Sequence, residues 1–262
     1  MDTQLDNWWG PFRRHPDESI VLTDFDGTLA DIVAEPSDAR ARPGAIEVLC
    51  ALAEHMALVA VVSGRPLDFL APQIADPRIE LAGLYGLETR VAGQQRTHAA
   101  ADGWRDVVAG TVRAATALGL QVEPKGLSLT LHFRNDPAHE RDVRAFAAAQ
   151  AAATGLHART AKKSLELHPP IDVDKGTTVH DLVALAERRV DPRLIRNVCF
   201  LGDDVGDLPA YVALMELRTQ RGLHVVRAVV GSTELPASLA AVADVVIDGP
   251  AGAVATLEAL LA

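Results

Sequence analysis

The chain has 262 residues, 48% of them hydrophobic, enough for one large domain or a core domain carrying a smaller insertion. Its formal net charge of −10 argues against sequence-independent nucleic-acid binding, which depends on basic surface, so no nucleic-acid partner is expected. No stretch approaches the roughly 18 apolar residues of a membrane span, and no membrane partner is expected.

In chain order, Met1 to Pro16 is polar, carries Trp8, Trp9 and Phe12, and lacks the apolar core of an export signal. Ile20 to Thr23 predicts a first strand, leading straight into Asp24-Phe25-Asp26-Gly27-Thr28. Two carboxylates one residue apart then stand at the carboxyl end of a buried strand, where open α/β sheets bind ligands, and Gly27 permits the turn that follows. One such carboxylate can attack as a nucleophile while the other works as acid and base. Taken alone, the Asp-Gly pair is also compatible with a simple turn.

Pro43-Gly44 opens a helix to about His55, and Ala57 to Val62 reads as a second strand ending in Ser63-Gly64-Arg65. Ile79 to Ala82 reads as a third, ending in Gly83-Leu84-Tyr85-Gly86. Further on, Asn197 to Leu201 ends in Gly202-Asp203-Asp204, His224 to Val230 and Asp244 to Ile247 supply two more strands, and Val254 to Leu261 is a closing helix. Short apolar runs alternating with helical patterns predict a parallel, doubly wound sheet. Cys50 and Cys199 lie in apolar runs without metal-ligand spacing and read as buried thiols of a reducing cytoplasm. The sequence does not reveal the oligomeric state, a monomer being slightly favoured.

The middle of the chain has another texture. Leu127 to Arg134 alternates strictly, with Leu127, Leu129, Leu131 and Phe133 on one face and Ser128, Thr130, His132 and Arg134 on the other. Ser164 to His168 repeats the design, with Glu166 on the polar face. One-sided strands belong to an antiparallel sheet with helices on one face and water on the other. The expected organisation is therefore a core from 1–102 and 171–262 with an α+β cap at 103–170, the cap helices falling near Trp104–Leu118 and Ala138–Thr154.

Four polar clusters thus end strands or loops: Asp24 with Asp26, Ser63, Lys175, and Asp203 with Asp204 and Asp207. Phosphoryl transfer through an aspartyl phosphate needs this inventory. Carboxylates repel a phosphate dianion, so a divalent cation must bridge them, and Mg²⁺ suits an oxygen-only site, with Asp24 and Asp203 as its natural ligands. A lysine offsets the remaining charge, while a serine hydroxyl and nearby amides hold the non-bridging oxygens.

The order Asp-x-Asp-Gly-Thr, Ser-Gly-Arg, Lys-Gly, Gly-Asp-Asp-x-x-Asp resembles the haloacid-dehalogenase (HAD) phosphohydrolases over nearly the whole chain from Ile20. The resemblance implies a Rossmann-like HAD core with a parallel sheet and an inserted C2-type cap, which in that family closes over small substrates. It implies Asp24 as nucleophile, Asp26 as general acid and base, and Ser63, Gly64 and Lys175 as phosphate ligands. It also implies Mg²⁺ held by Asp24, the Asp26 carbonyl and Asp203, with Asp204 or Asp207 in support.

A narrower set, Glu123-Pro124-Lys125 followed by Ser128 to Arg134, and Leu165 to Pro169 leading to Asp174-Lys175-Gly176, is similar to trehalose-6-phosphate phosphatases. By that resemblance Glu123, Lys125, Arg134 and Glu166 contact the sugar, while Arg65 and the Gly83 to Glu88 loop line the core side of the pocket. His132 reads as a supporting hydrogen-bonder. The chain departs from those enzymes at Gly206 to Pro209, where they continue Thr-Asp-Glu-Asp, and at Tyr85, where a histidine is common. The expected function is Mg²⁺-dependent hydrolysis of trehalose 6-phosphate, a small-molecule sugar phosphate. Other phosphosugars, such as sucrose phosphate or mannosyl-phosphoglycerate, and a catalytically silent sugar-phosphate sensor stay open as alternatives.

Overall fold

Apolar runs without alternation become parallel strands here, because a strand covered by helices on both faces carries apolar side chains on each. The structure is a computed structural model that describes residues 3–33, 35–134, 136–161, 163–190, 194–231 and 235–262. Its elements begin with α1 (Thr3–Arg14), β1 (Ser19–Thr23), α2 (Ala45–Leu52), β2 (Leu58–Val62), α3 (Leu67–Leu70), β3 (Ile79–Gly83), β4 (Glu88–Val91) and β5 (Gln94–Thr97). They continue with α4 (Arg105–Ala117), β6 (Gln121–Pro124), β7 (Leu129–His132), α5 (Glu140–Thr154), β8 (His157–Ala161) and β9 (Ser164–His168). The chain closes with α6 (Lys175–Arg189), β10 (Asn197–Gly202), α7 (Leu208–Arg221), β11 (His224–Gly231), α8 (Ala237–Ala240), β12 (Val245–Asp248) and α9 (Gly249–Glu258).

Two compact units result, one made of Met1–Arg96 with Val173–Ala262 and the other of Thr97–Asp172. The expected cap, 103–170, falls inside the second unit. Among the described residues no helix is long and apolar enough to cross a membrane.

The first unit holds an eight-stranded sheet in the order β12-β11-β10-β1-β2-β3-β4-β5. The pairs from β12 through β3 are parallel, and β4 returns antiparallel to β3. From β1 the chain winds first toward β2 and β3, and later places β10, β11 and β12 on the other side. The order therefore reverses between β1 and β10, where doubly wound sheets open a crevice at their carboxyl ends. Register sets Thr23 beside Leu201, so the loops after β1 and β10 emerge as neighbours.

Both faces of β1 are buried. Val21 packs with Phe12, Leu49 and Leu257, whereas Ile20 and Leu22 pack with Val179, Leu182 and Leu214. Each such side chain, fully buried, contributes about 1.5–3 kcal/mol. The amino-terminal segment adds to this core as helix α1, with Phe12 fully buried and Trp9 nearly so.

The second unit is an antiparallel sheet, β6-β7-β9-β8, with α4 and α5 on its apolar face. Leu129, Leu131, Phe133, Leu165 and Leu167 pack there against Val108, Val143 and Phe146. Two expectations need correction. The alternating run forms a ladder only over Leu129–His132, because β6 ends at Pro124 and β9 starts at Ser164. The polar face is not solvated throughout: Ser128, Thr130, Ser164 and Glu166 are all buried, and Ser128 Oγ donates to Glu166 Oε1 at 2.8 Å.

Candidate functional site

Asp24 extends the ladder one residue past β1, its N–H donating to Leu201 O at 2.8 Å, and this carries the carboxylate to the sheet's carboxyl edge. The chain then turns through Gly27, whose φ of 74° is the left-handed conformation that favours glycine. A Cβ on Gly27 would overlap the Asp203 carboxylate, and one on Gly202 would overlap that of Asp207. The missing side chain at Gly27 lets the loops after β1 and β10 approach this closely, and the one at Gly202 lets the loop after β10 fold back on its own strand end.

One oxygen each from Asp24, Asp203 and Asp207 lies within 4.8 Å of the others. Burial pushes the Asp24 carboxyl up to about 7 against the pull of Lys175, and the Asp207 and Asp26 carboxylates add to the rise. Burial, then the carboxylates of Asp24, Asp207 and Asp204, push Asp203 up to about 8. Gathered acids that resist ionisation are relieved by a divalent cation, and this all-oxygen donor set fits a hard one.

Lys175 opens α6. Asp174 caps that helix by accepting from the Gly176 and Thr177 N–H groups, both at 2.9 Å, and Thr177 Oγ1 accepts from Asp174 N at 3.0 Å. The cap presents Lys175 Nζ to Asp207 Oδ1 at 2.6 Å and to Asp24 Oδ1 at 3.0 Å. Burial alone would lower its pKa, but these two carboxylates outweigh that and hold the ammonium charged, well above its usual range. Asp207 is the nearer partner, so Asp24 shares the lysine and keeps its raised pKa. Asp204 turns away from this group: its carboxylate accepts from the Val205 N–H, while its own N–H donates to Asp207 Oδ2 at 3.0 Å.

Ser63 follows β2 and is fixed by its N–H to Ala82 O at 2.9 Å and its carbonyl to Tyr85 N at 2.9 Å. Its Oγ accepts from Arg65 N at 3.2 Å, which leaves the hydroxyl proton to donate elsewhere. Gly64 lies under the Tyr85 ring; a Cβ there would sit 2.8 Å from the Tyr85 hydroxyl. Leu84 and Tyr85 both hold positive φ, 49° and 63°, an uncommon state for residues with side chains. Thr178 Oγ1 from α6 donates to Tyr85 O at 2.5 Å and secures the turn. Arg65 makes a bidentate pair with Asp26, Nε to Oδ2 at 2.7 Å and Nη2 to Oδ1 at 2.8 Å. The sequence carries no sign of that pairing, since the two residues are 39 positions apart.

The second unit carries its own polar row. Glu123, Thr130, Glu166 and Arg159 stand opposite one another across β6, β7, β9 and β8. Glu123 Oε2 meets His132 Nε2 at 2.9 Å, so His132 supports a carboxylate. Lys125 lies in the β6–β7 turn and Arg134 just beyond β7, both half-buried. Arg159 was not visible as a candidate, because the β8 sequence His157–Ala161 is too polar to announce a strand. Its one signal was position, one strand away from Glu166.

Known proteins are similar to this chain in sequence and in fold. The family model described as trehalose-phosphatase matches residues 22–242. A protein named trehalose-phosphate phosphatase from Mycobacterium leprae (strain TN) is 36% identical over 211 residues, covering 75% of this chain and 48% of that protein. The chain spans about half the length of the curated relatives it matches. Among solved structures, the C-terminal domain of C. albicans trehalose-6-phosphate phosphatase superposes with a TM-score of 0.79 at 21% identity, over 99% of this chain and 95% of that one. A haloacid dehalogenase-like hydrolase from Bacteroides thetaiotaomicron gives 0.64 at 14% identity, over 92% and 99%, a likeness of fold alone.

Proposed function

Because the chain belongs to the trehalose-phosphatase family, we propose that it hydrolyses trehalose 6-phosphate to trehalose and inorganic phosphate through a phosphoryl group carried on Asp24. The observation that carries this reading is the buried group at the β1/β10 crevice, where Lys175 bridges Asp24 and Asp207 with Asp203 alongside. Asp24 attacks phosphorus, the bond to the sugar oxygen breaks, and that oxygen leaves with its electron pair and takes a proton from Asp26. In the second half, Asp26 takes a proton from water, whose oxygen attacks phosphorus and releases phosphate, restoring the Asp24 carboxylate.

Ser63 and the Gly64 amide hold non-bridging oxygens, and Lys175 offsets their charge. Mg²⁺, held by Asp24, the Asp26 carbonyl and Asp203 with Asp207 in support, would neutralise charge shared by the carboxylates and the phosphoryl group, while Asp204, tied to its own loop, would take no direct part. Glu123, Lys125, Arg134 and Glu166 recognise the sugar hydroxyls. We place the reaction in the cytoplasm, a reading supported by two free cysteines.

The test is phosphate release from trehalose 6-phosphate with Mg²⁺, beside sucrose 6-phosphate and glucose 6-phosphate, with EDTA and Asp24→Asn as controls. Metal-dependent turnover of the trehalose ester, lost in the variant, is the expected result. Preference for another ester would discard the substrate and keep the chemistry. No turnover of any ester would discard both and leave a silent sugar-phosphate sensor.

A further inference from the structure

The carboxylate assigned as proton donor is fully engaged in this structure. Both Asp26 oxygens accept from the Arg65 guanidinium, at 2.7 and 2.8 Å, in the side-by-side geometry that makes arginine–carboxylate pairs strong. Neither oxygen can present a proton to a leaving group while that clasp holds. The guanidinium is also steadied from its flat side, with its carbon 4.4 Å from the centre of the Phe69 ring, which in turn meets Phe25 edge-on at 5.8 Å. Phe25 stands between Asp24 and Asp26 in the chain, so one packed unit joins the nucleophile loop to Arg65.

Two features make the clasp exchangeable. The Asp26 side chain keeps 27% of its surface exposed, so parting the pair leaves its carboxylate in reach of water, whereas the Arg65 side chain, 11% exposed, needs another anion in its place. The backbone of Arg65 is tied independently of its side chain: its N–H donates to Ser63 Oγ and its carbonyl accepts from Leu84 N at 2.9 Å. The guanidinium can therefore change partner while the loop stays in place. A phosphoryl group seated on Ser63 lies two residues from Arg65 in the chain and offers a planar fork more negative charge than one carboxylate does.

We propose that Arg65 is a positioning residue that parks Asp26 until a phosphoryl group arrives, captures the Arg65 guanidinium and so frees Asp26 to face the leaving oxygen. This rests on the roles given above to Ser63 and Asp26. The arrangement ties readiness of the acid to occupancy of the phosphate site. Arg65 thereby acts at the core end of the site, on the phosphoryl group and on Asp26, rather than as a sugar contact.

A binding cycle tests it without turnover. Inorganic phosphate is titrated by calorimetry in Mg²⁺ into the unaltered chain, Asp26→Asn, Arg65→Gln and the double variant. Asparagine cannot hold the bidentate ion pair, so Asp26→Asn should release Arg65 and tighten phosphate binding by about 10-fold, a change of about 1.4 kcal/mol. Loss of a negative charge near phosphate would tighten binding as well, but equally in both backgrounds. With Arg65→Gln the gain from Asp26→Asn should shrink to less than about 3-fold, because there is no clasp to break. An equal factor in the two backgrounds, or no gain in either, overturns the proposal. Should Arg65→Gln fail to melt cooperatively, Arg65→Lys takes its place, since an ammonium cannot form the fork. Coupling found in a chain that ignores trehalose 6-phosphate would keep the clasp and discard the substrate; turnover without coupling would do the reverse.

Discussion

At the scale of single residues, the dominant fact is that Asp24 and Asp203 are held where carboxylates resist ionising. Both have folded pKa values above the ordinary 3.8, about 7 and about 8, with burial as the first cause and neighbouring carboxylates adding to it. In the unfolded chain these groups lose their protons near pH 4. Between there and about pH 8 the folded state binds more protons than the unfolded one, so stability falls as pH rises across that window. A cation that pairs with the ionised carboxylates reverses the loss. In EDTA the melting temperature should therefore drop from pH 5 to pH 8, and Mg²⁺ should raise it more at pH 8 than at pH 5. At 100 times its dissociation constant the ion contributes about 2.7 kcal/mol. Thermal melts at the two pH values check this, and an equal Mg²⁺ gain at both would count against a cation among these carboxylates.

At the scale of elements, the site is aimed by the ends of strands and by one helix cap. The carboxyl ends of β1 and β10 deliver Asp24 and Asp203 because their registers match, and β2 delivers Ser63 one strand away. Lys175 comes from the other direction, in the first turn of α6, and its aim depends on Asp174. The reciprocal bonds between Asp174 and Thr177 satisfy N–H groups that the helix itself leaves unpaired. Asp174→Ala should cost about 1 kcal/mol of stability, whereas Asp174→Asn should cost less because asparagine also caps well. Urea denaturation of the two variants separates them; equal midpoints would mean the cap contributes nothing beyond packing.

At the scale of the molecule, the chain is two units with different logic. The first is a doubly wound sheet whose central strands β1, β2, β3 and β10 are buried on both faces, with Trp9 and Phe12 of α1 packed into the core. The second is a one-layer sheet backed by two helices, and its other face carries Glu123, Thr130, Glu166 and Arg159 in register. Under the function proposed above, the chemistry would belong to the first unit and selection of the sugar to the second. Arg134→Ala should then lower kcat/KM for trehalose 6-phosphate at least about 10-fold, roughly the loss of one charged hydrogen bond, and leave p-nitrophenyl phosphate within about 3-fold. Parallel loss on both esters would assign Arg134 to the fold or to the phosphate.

The sequence by itself determined the parts whose signals are local. Asp24, Ser63 and Asp203 each follow an apolar run by one or two residues, so strand patterning alone places them at strand ends. The same holds for the alternation in β7 and β9, which marks a one-sided sheet. Helix α1 was not legible, because Gly10 and Pro11 lower its helix propensity and what secures it is the burial of Trp9 and Phe12 against distant strands. The polar strands β4 and β5 were hidden, and β6 and β8 could be expected only as unplaced partners of β7 and β9, for a related reason: an edge or turn-bounded strand need not be apolar. Tertiary structure also decided which charges meet. Asp26 takes Arg65, Asp207 takes Lys175 across 32 residues, Asp204 turns to its own loop, and Glu166 sinks onto Ser128. Strand register sets those distances, and an ion pair depends on a few ångströms that no residue spacing along the chain encodes.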